Sequence, residues 1–124
     1  MKVKEVYELT KQLMFEKPSS TIYDNYLVGN LNRLLVELFA ENNLARVRNN
    51  KEKLDTPQTI PSTNYSDIEI EMEDEYARNI LPLGLAARFF IDDDLNKAAQ
   101  FSTDYNNARV MAQKIVGVSK LNAS

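Results

Sequence analysis

Leucine spacing constrains this chain more than any other feature. Leu27, Leu31, Leu34, Leu35 and Leu38 recur at intervals of three and four, and Tyr23 and Phe39 extend the stripe. Only a helix puts residues so spaced on one face, which predicts an amphipathic helix from about residue 22 to Asn42 and Asn43, with "LARVR" able to extend it. Gly29 inside it costs about 1 kcal/mol relative to alanine, too little to break so long a pattern.

Three further helices are expected. Residues 2–15 place Val3, Val6, Tyr7, Leu9, Leu13 and Met14 near helical spacing, until Pro18 stops the run and nearby hydroxyls offer caps for the next. Residues 74–91 are apolar almost all round, from Tyr76 and Ile80 to Phe89, Phe90 and Ile91, which is the composition of a buried helix. Within it Pro82 either kinks the helix or marks the first turn of its second half, and Gly84 with two alanines lets another helix approach closely. Residues 95–116 carry Leu95, Ala98, Phe101, Tyr105, Ala108, Ala112 and Ile115 on one face, and "GVSKLNAS" is expected to break away at Gly117. The fold class that follows is mainly α: one four-helix bundle-like domain over 1–116, with a tail at 117–124.

Between the second and third helices the pattern changes twice. Residues 49–66 contain Pro57, Pro61 and many small polar residues with no apolar period, so they form a long loop. In "DIEIEMEDE", residues 67–75, Ile68, Ile70 and Met72 alternate with Asp67, Glu69, Glu71 and Glu73. Period two predicts a short strand with one apolar and one acidic face, making 49–73 a loop and β arm. A lone strand leaves its backbone groups unpaired, so its ladder partner is expected in the 51–65 loop or in another chain.

The chain contains no histidine and no cysteine. Disulfides, thiolate or imidazole metal sites and Ser-His or Cys-His nucleophile pairs are thereby excluded. A net charge of -3 argues against a protein that coats DNA, and the charged, amphipathic N-terminal segment resembles neither a signal peptide nor a membrane span. A cytoplasmic protein, or part of an assembly made in a cytoplasm, is expected.

Candidate chemistry is sparse. Asp92, Asp93 and Asp94 invite comparison with a calcium loop, but Lys97 and Thr103 stand where glycine and glutamate are required. A corner at which Asp93 or Asp94 caps the last helix fits better. The acidic face of 67–73 offers carboxylates in one shared environment, which does not suit a general acid and base pair. It suits a subunit interface or a channel wall, with Asp67, Ile68, Glu69, Ile70 and Glu71 as the candidate residues. Arg46, Arg48, Lys51 and Lys53 are too diluted to make a nucleic-acid patch, and no glycine-rich phosphate loop is present. No catalytic residue, metal or cofactor is assigned.

Taken together, "NNLARVRNNKEKLDTPQTIP", "IEIEMEDEYARNILPLGLAARFFIDDD" and "AQFSTDYNNA" resemble the head-tail connector proteins of tailed bacteriophages, over about residues 25–112. The most recognisable part runs from Glu73 to Asp94. The resemblance implies a non-enzymatic structural adaptor of the virion neck, assembled in the bacterial host cytoplasm as a homo-oligomeric ring, expected to be dodecameric. Such a ring extends the portal channel through which double-stranded DNA passes in packaging and ejection. Its partners would be the portal protein and a head-closure or tail component, with no membrane involved. Portal docking would fall to the tail, with Val118, Lys120 and Leu121 as candidates. The alternative is a helical protein-protein interaction module with a regulatory role, and a third reading is a carboxylate-metal enzyme built on Asp92 to Asp94.

Overall fold

The computed structural model describes residues 1–123, with side-chain surroundings described through Lys114. The chain is mainly helical, with α1 Val3–Leu13, α2 Asp24–Glu37, α3 Phe39–Arg48, α4 Asp74–Asn79, α5 Leu81–Phe89 and α6 Leu95–Ala123. Helix α5 is central, packed by α1, α2, α4 and α6. Its composition demands this, because Leu81, Pro82, Gly84, Leu85, Ala86, Ala87 and Phe89 are all buried and leave no polar face for solvent. A Cβ built on Gly84 would lie 2.9 Å from Leu34 Cδ2 and 3.0 Å from Tyr105 Cε1, so the missing side chain sets the approach of α2 and α6.

The leucine stripe folds as its spacing predicts, with Leu27, Leu31, Leu34 and Leu38 fully buried. It is divided at Leu38 (φ -93°, ψ 1°) into α2 and α3. The axis is interrupted but hydrogen bonding continues: the Leu38 N–H donates to the Leu34 carbonyl at 2.9 Å, and its carbonyl accepts the Asn42 N–H at 2.9 Å. Asn42 and Asn43 therefore lie inside α3 rather than at a helix end. The 74–91 segment also divides, at Ile80, and Pro82 takes the first turn of α5, where its absent N–H has no intrahelical carbonyl to lose. Helix α6 runs past Gly117, where a break was expected, because one helical glycine costs only about 1 kcal/mol. Of the tail candidates, the side chains of Val118, Lys120 and Leu121 lie outside the described residues.

The 67–73 segment differs from expectation. Among the described residues there is no strand, only one isolated antiparallel bridge between Lys2 and Glu69. The principal partner is neither the loop nor another chain but the start of α1. The Val3 N–H donates to the Ile68 carbonyl and the Lys4 N–H to the Ser66 carbonyl, each at 3.0 Å, and the Ile70 N–H donates to the Met1 carbonyl at 2.9 Å. The first N–H groups of a helix lack intrahelical acceptors, so Val3 and Lys4 have donors to spare.

The long loop is held against the body by side-chain amides, each acting as a short piece of strand. Asn43 accepts the Leu54 N–H at 2.9 Å and donates to the Leu54 carbonyl at 3.1 Å. Asn42 accepts the Glu73 N–H at 2.8 Å and donates to the Glu71 carbonyl at 3.1 Å. Gln58 accepts the Glu71 N–H at 2.8 Å and donates to the Glu69 carbonyl at 2.9 Å. Asn32 brackets Ile60 in the same way, and the Ile60 side chain is buried in the core. These bonds give the loop's backbone groups partners in place of a ladder.

Candidate functional site

The acidic segment divides by residue. Ile70 and Met72 are buried and Ile68 is half-buried, whereas Asp67, Glu69 and Glu71 are exposed, so period two survives in burial without a strand. Ile70 is a core residue. The outward face is not purely acidic, because Lys4 Nζ lies 2.9 Å from Asp67 and Lys2 Nζ lies 3.8 Å from it. Hydrogen bonding and attraction from Lys4 hold the Asp67 carboxyl below its ordinary range and raise the Lys4 ammonium.

Glu73, expected on the acidic face, is buried instead. Its carboxylate accepts hydrogen bonds from Asn49 Nδ2 at 2.7 Å and Lys51 Nζ at 2.9 Å, which joins the two ends of the long loop. Burial pushes this carboxyl upward, but the two donors and the Lys51 charge outweigh it and hold it below its ordinary value. The basic cluster is engaged by the same region: Arg46 donates to the Glu52 carbonyl at 2.7 Å, and Arg48 pairs with Glu75. These cations fasten the loop rather than form a free patch.

The three aspartates diverge. Asp94 caps α6, its Oδ1 accepting the Lys97 N–H at 3.1 Å. Asp93 accepts the Tyr23 hydroxyl proton at 3.0 Å, and Asp92 is exposed. Burial first, and then the bond to Asp93, pushes the Tyr23 phenol up to about 12, which keeps it a donor. Among the described residues no group of three or more carboxylates is placed to hold a metal ion.

The surface most suited to binding lies along both sides of the α5 C-terminal end. One groove of about 580 Å³ runs between α5 and α6, with Gly84, Ala87, Ala98 and Ala99 among the small residues that leave it open. A second, of about 380 Å³, lies between α2 and the 91–93 corner and carries Ile22, Tyr26, Arg33, Asp92 and Asp93. Ile91 and Arg88 line both. Sequence spacing put Ile91 and Leu95 on buried faces, yet Leu95 is 73% exposed and Ile91 55%, and Ile22 and Tyr26 beside them are 64% and 57% exposed. Spacing identifies an apolar face without saying whether anything in the same chain covers it.

A charge network holds the base of the first groove. Glu37 accepts from Arg88 at 2.9 Å, from the Tyr105 hydroxyl at 2.8 Å and from Arg109 at 3.0 Å, and Arg109 also reaches Glu41. Burial and then the bond to Glu37 push the Tyr105 phenol far up, so its hydroxyl stays a donor. The network ties α2 and α3 to α5 and α6 with every charge compensated. Among the described residues no helix is long and apolar enough to cross a membrane. Comparisons with protein-family models, with curated proteins and with solved structures find no match for the chain.

Proposed function

We propose that the chain is a structural adaptor of a tailed-phage neck, a head-to-tail connector that assembles as a ring beneath the portal and continues its DNA channel. The single observation that carries this reading is the run of exposed apolar side chains, Ile22, Tyr26, Ile91 and Leu95, along two adjoining grooves, the first of which has a charge-compensated base. Apolar surface gathered in that way marks a contact with another macromolecule, since scattered exposed residues rarely line the same concavity. In the ring, α1, α2, α5 and α6 act as a bundle-like body and 49–73 as the arm. The Ile68, Ile70 and Glu71 N–H groups already have partners within the chain, so in this reading subunits meet mainly through side chains rather than through a shared ladder. Exposed Glu71 suits a channel wall, because carboxylates repel the phosphates of passing DNA, whereas Glu69 pairs with the Met1 amino group at 3.1 Å.

The same grooves suit a regulatory interaction module, and the partner distinguishes the two readings. Purified protein mixed with the phage portal protein that this reading makes its partner is expected to co-elute with it in size-exclusion chromatography. Separate elution at micromolar concentrations of both would remove the connector reading.

A further inference from the structure

Three described residues adopt positive φ without being glycine: Phe15 at 58°, Asn50 at 62° and Asn64 at 54°. Asn50 and Phe15 occupy the same position in the same device. At the end of α3 the Asn50 N–H donates to Val47 and the Lys51 N–H to Arg46, and at the end of α1 the Phe15 N–H donates to Gln12 and the Glu16 N–H to Lys11. Both are paired-bond helix terminators whose left-handed residue is normally glycine or asparagine. Asparagine tolerates that conformation, whereas a bulky side chain raises its energy by roughly 1–2 kcal/mol. Phe15 recovers nothing by burial, since it is 95% exposed. Neither backbone preference nor packing within the chain accounts for a phenylalanine there.

We propose that Phe15 is an interaction anchor, and that its site is the α2 groove of a second copy of this chain. The groove is deep enough at about 380 Å³ for an aromatic ring, and its exposed Ile22, Tyr26 and Ile91 supply apolar walls. Charges of both signs stand on each side: Glu16 and Lys17 follow the phenylalanine in sequence and Lys97 lines the notch beside it, while Arg33, Asp92 and Asp93 line the groove. No residue lines both the Phe15 notch and this groove, so the contact joins two different surfaces of the chain. Unless they are reciprocated about a two-fold axis, contacts of that kind run head to tail and generate a closed ring or a filament. The inference rests on the proposed ring only for its closure.

The absence of native cysteine makes the test clean. A Lys17→Cys, Asp92→Cys double variant, oxidised at high concentration, is expected to give a ladder of disulfide-linked multimers. Adding Phe15→Gly should weaken that ladder at least about tenfold, as loss of an aromatic hot spot does, without lowering the melting temperature, since glycine prefers the conformation. An equal ladder with Phe15→Gly, no ladder with Phe15 in place, or a clear fall in melting temperature would each overturn the proposal. If no ladder forms but Phe15→Gly abolishes co-elution with the portal, the anchor serves the portal instead and the self-contact is wrong. A Phe15→Gly chain that still forms rings on the portal removes the anchor and leaves the connector reading intact. A chain that ladders through Phe15 but never binds portal does the reverse.

Discussion

Asn32 on α2 holds Ile60 of the long loop by both of its backbone groups: its Oδ1 accepts the Ile60 N–H at 2.7 Å, and its Nδ2 donates to the Ile60 carbonyl at 3.0 Å. The amide does what a neighbouring strand would do for one residue, and it seats the Ile60 side chain in the core at 2% exposure. Replacing Asn32 by alanine leaves two backbone groups without partners, at a cost of about 2 kcal/mol. Hydrogen exchange at Ile60 is expected to rise steeply in Asn32→Ala, with little change in the centre of α5. Unchanged protection at Ile60 would mean the loop is held by other contacts.

Glu73 makes the loop's closure depend on pH. Its folded-state pKa is depressed below the ordinary value of 4.5. A group so shifted contributes its stability in full above the unfolded pKa and loses it as pH falls through the folded pKa. At pH 7, Glu73→Gln is therefore expected to be less stable than the parent by about 2 kcal/mol, the order of a hydrogen bond to a charged group. The gap should narrow as pH drops below 4.5. Chemical denaturation of both proteins across pH 3–7 reads this directly (an assay range of roughly four units around the carboxylate pKa).

Tyr76 carries a hydroxyl with no hydrogen-bond partner among the described residues although the residue is fully buried. Burial, aided by the nearby Glu41 and Glu75 charges, pushes its phenol up to about 12. An unpaired buried hydroxyl is destabilising, so Tyr76→Phe is expected to gain about 1 kcal/mol and raise the melting temperature by a few degrees. A lower melting temperature would reveal a partner for that hydroxyl in solution.

The helical body was legible because apolar period is a local signal. Leucines at 27, 31, 34, 35 and 38 fix a buried face whatever else the chain does. A cap at Asp93 or Asp94 and two roles for Pro82 were legible for the same reason, and the structure selects Asp94 and the first turn of α5. The arm was not. Alternation in 67–73 correctly separates buried Ile70 and Met72 from exposed Asp67, Glu69 and Glu71, but it cannot say that α1's spare N–H groups and distant amides replace a ladder. Glu73 was misplaced because period two ends where α4 begins, and there the side chain turns inward to Asn49 and Lys51. The candidate grooves were illegible for a simpler reason. Leu95 and Ile91 look like core residues in sequence, and only the assembled helices reveal that nothing in the described chain covers them.

The most direct test of the proposed adaptor role is electron microscopy of the protein incubated with the phage portal protein that the proposal makes its partner. A continuous ring of added density beneath the portal, coaxial with its channel, is the predicted result. Leu95→Asp, placed at a side chain that is 73% exposed and so harmless to the fold, should abolish that density. Portal images unchanged by an excess of folded protein would contradict the account.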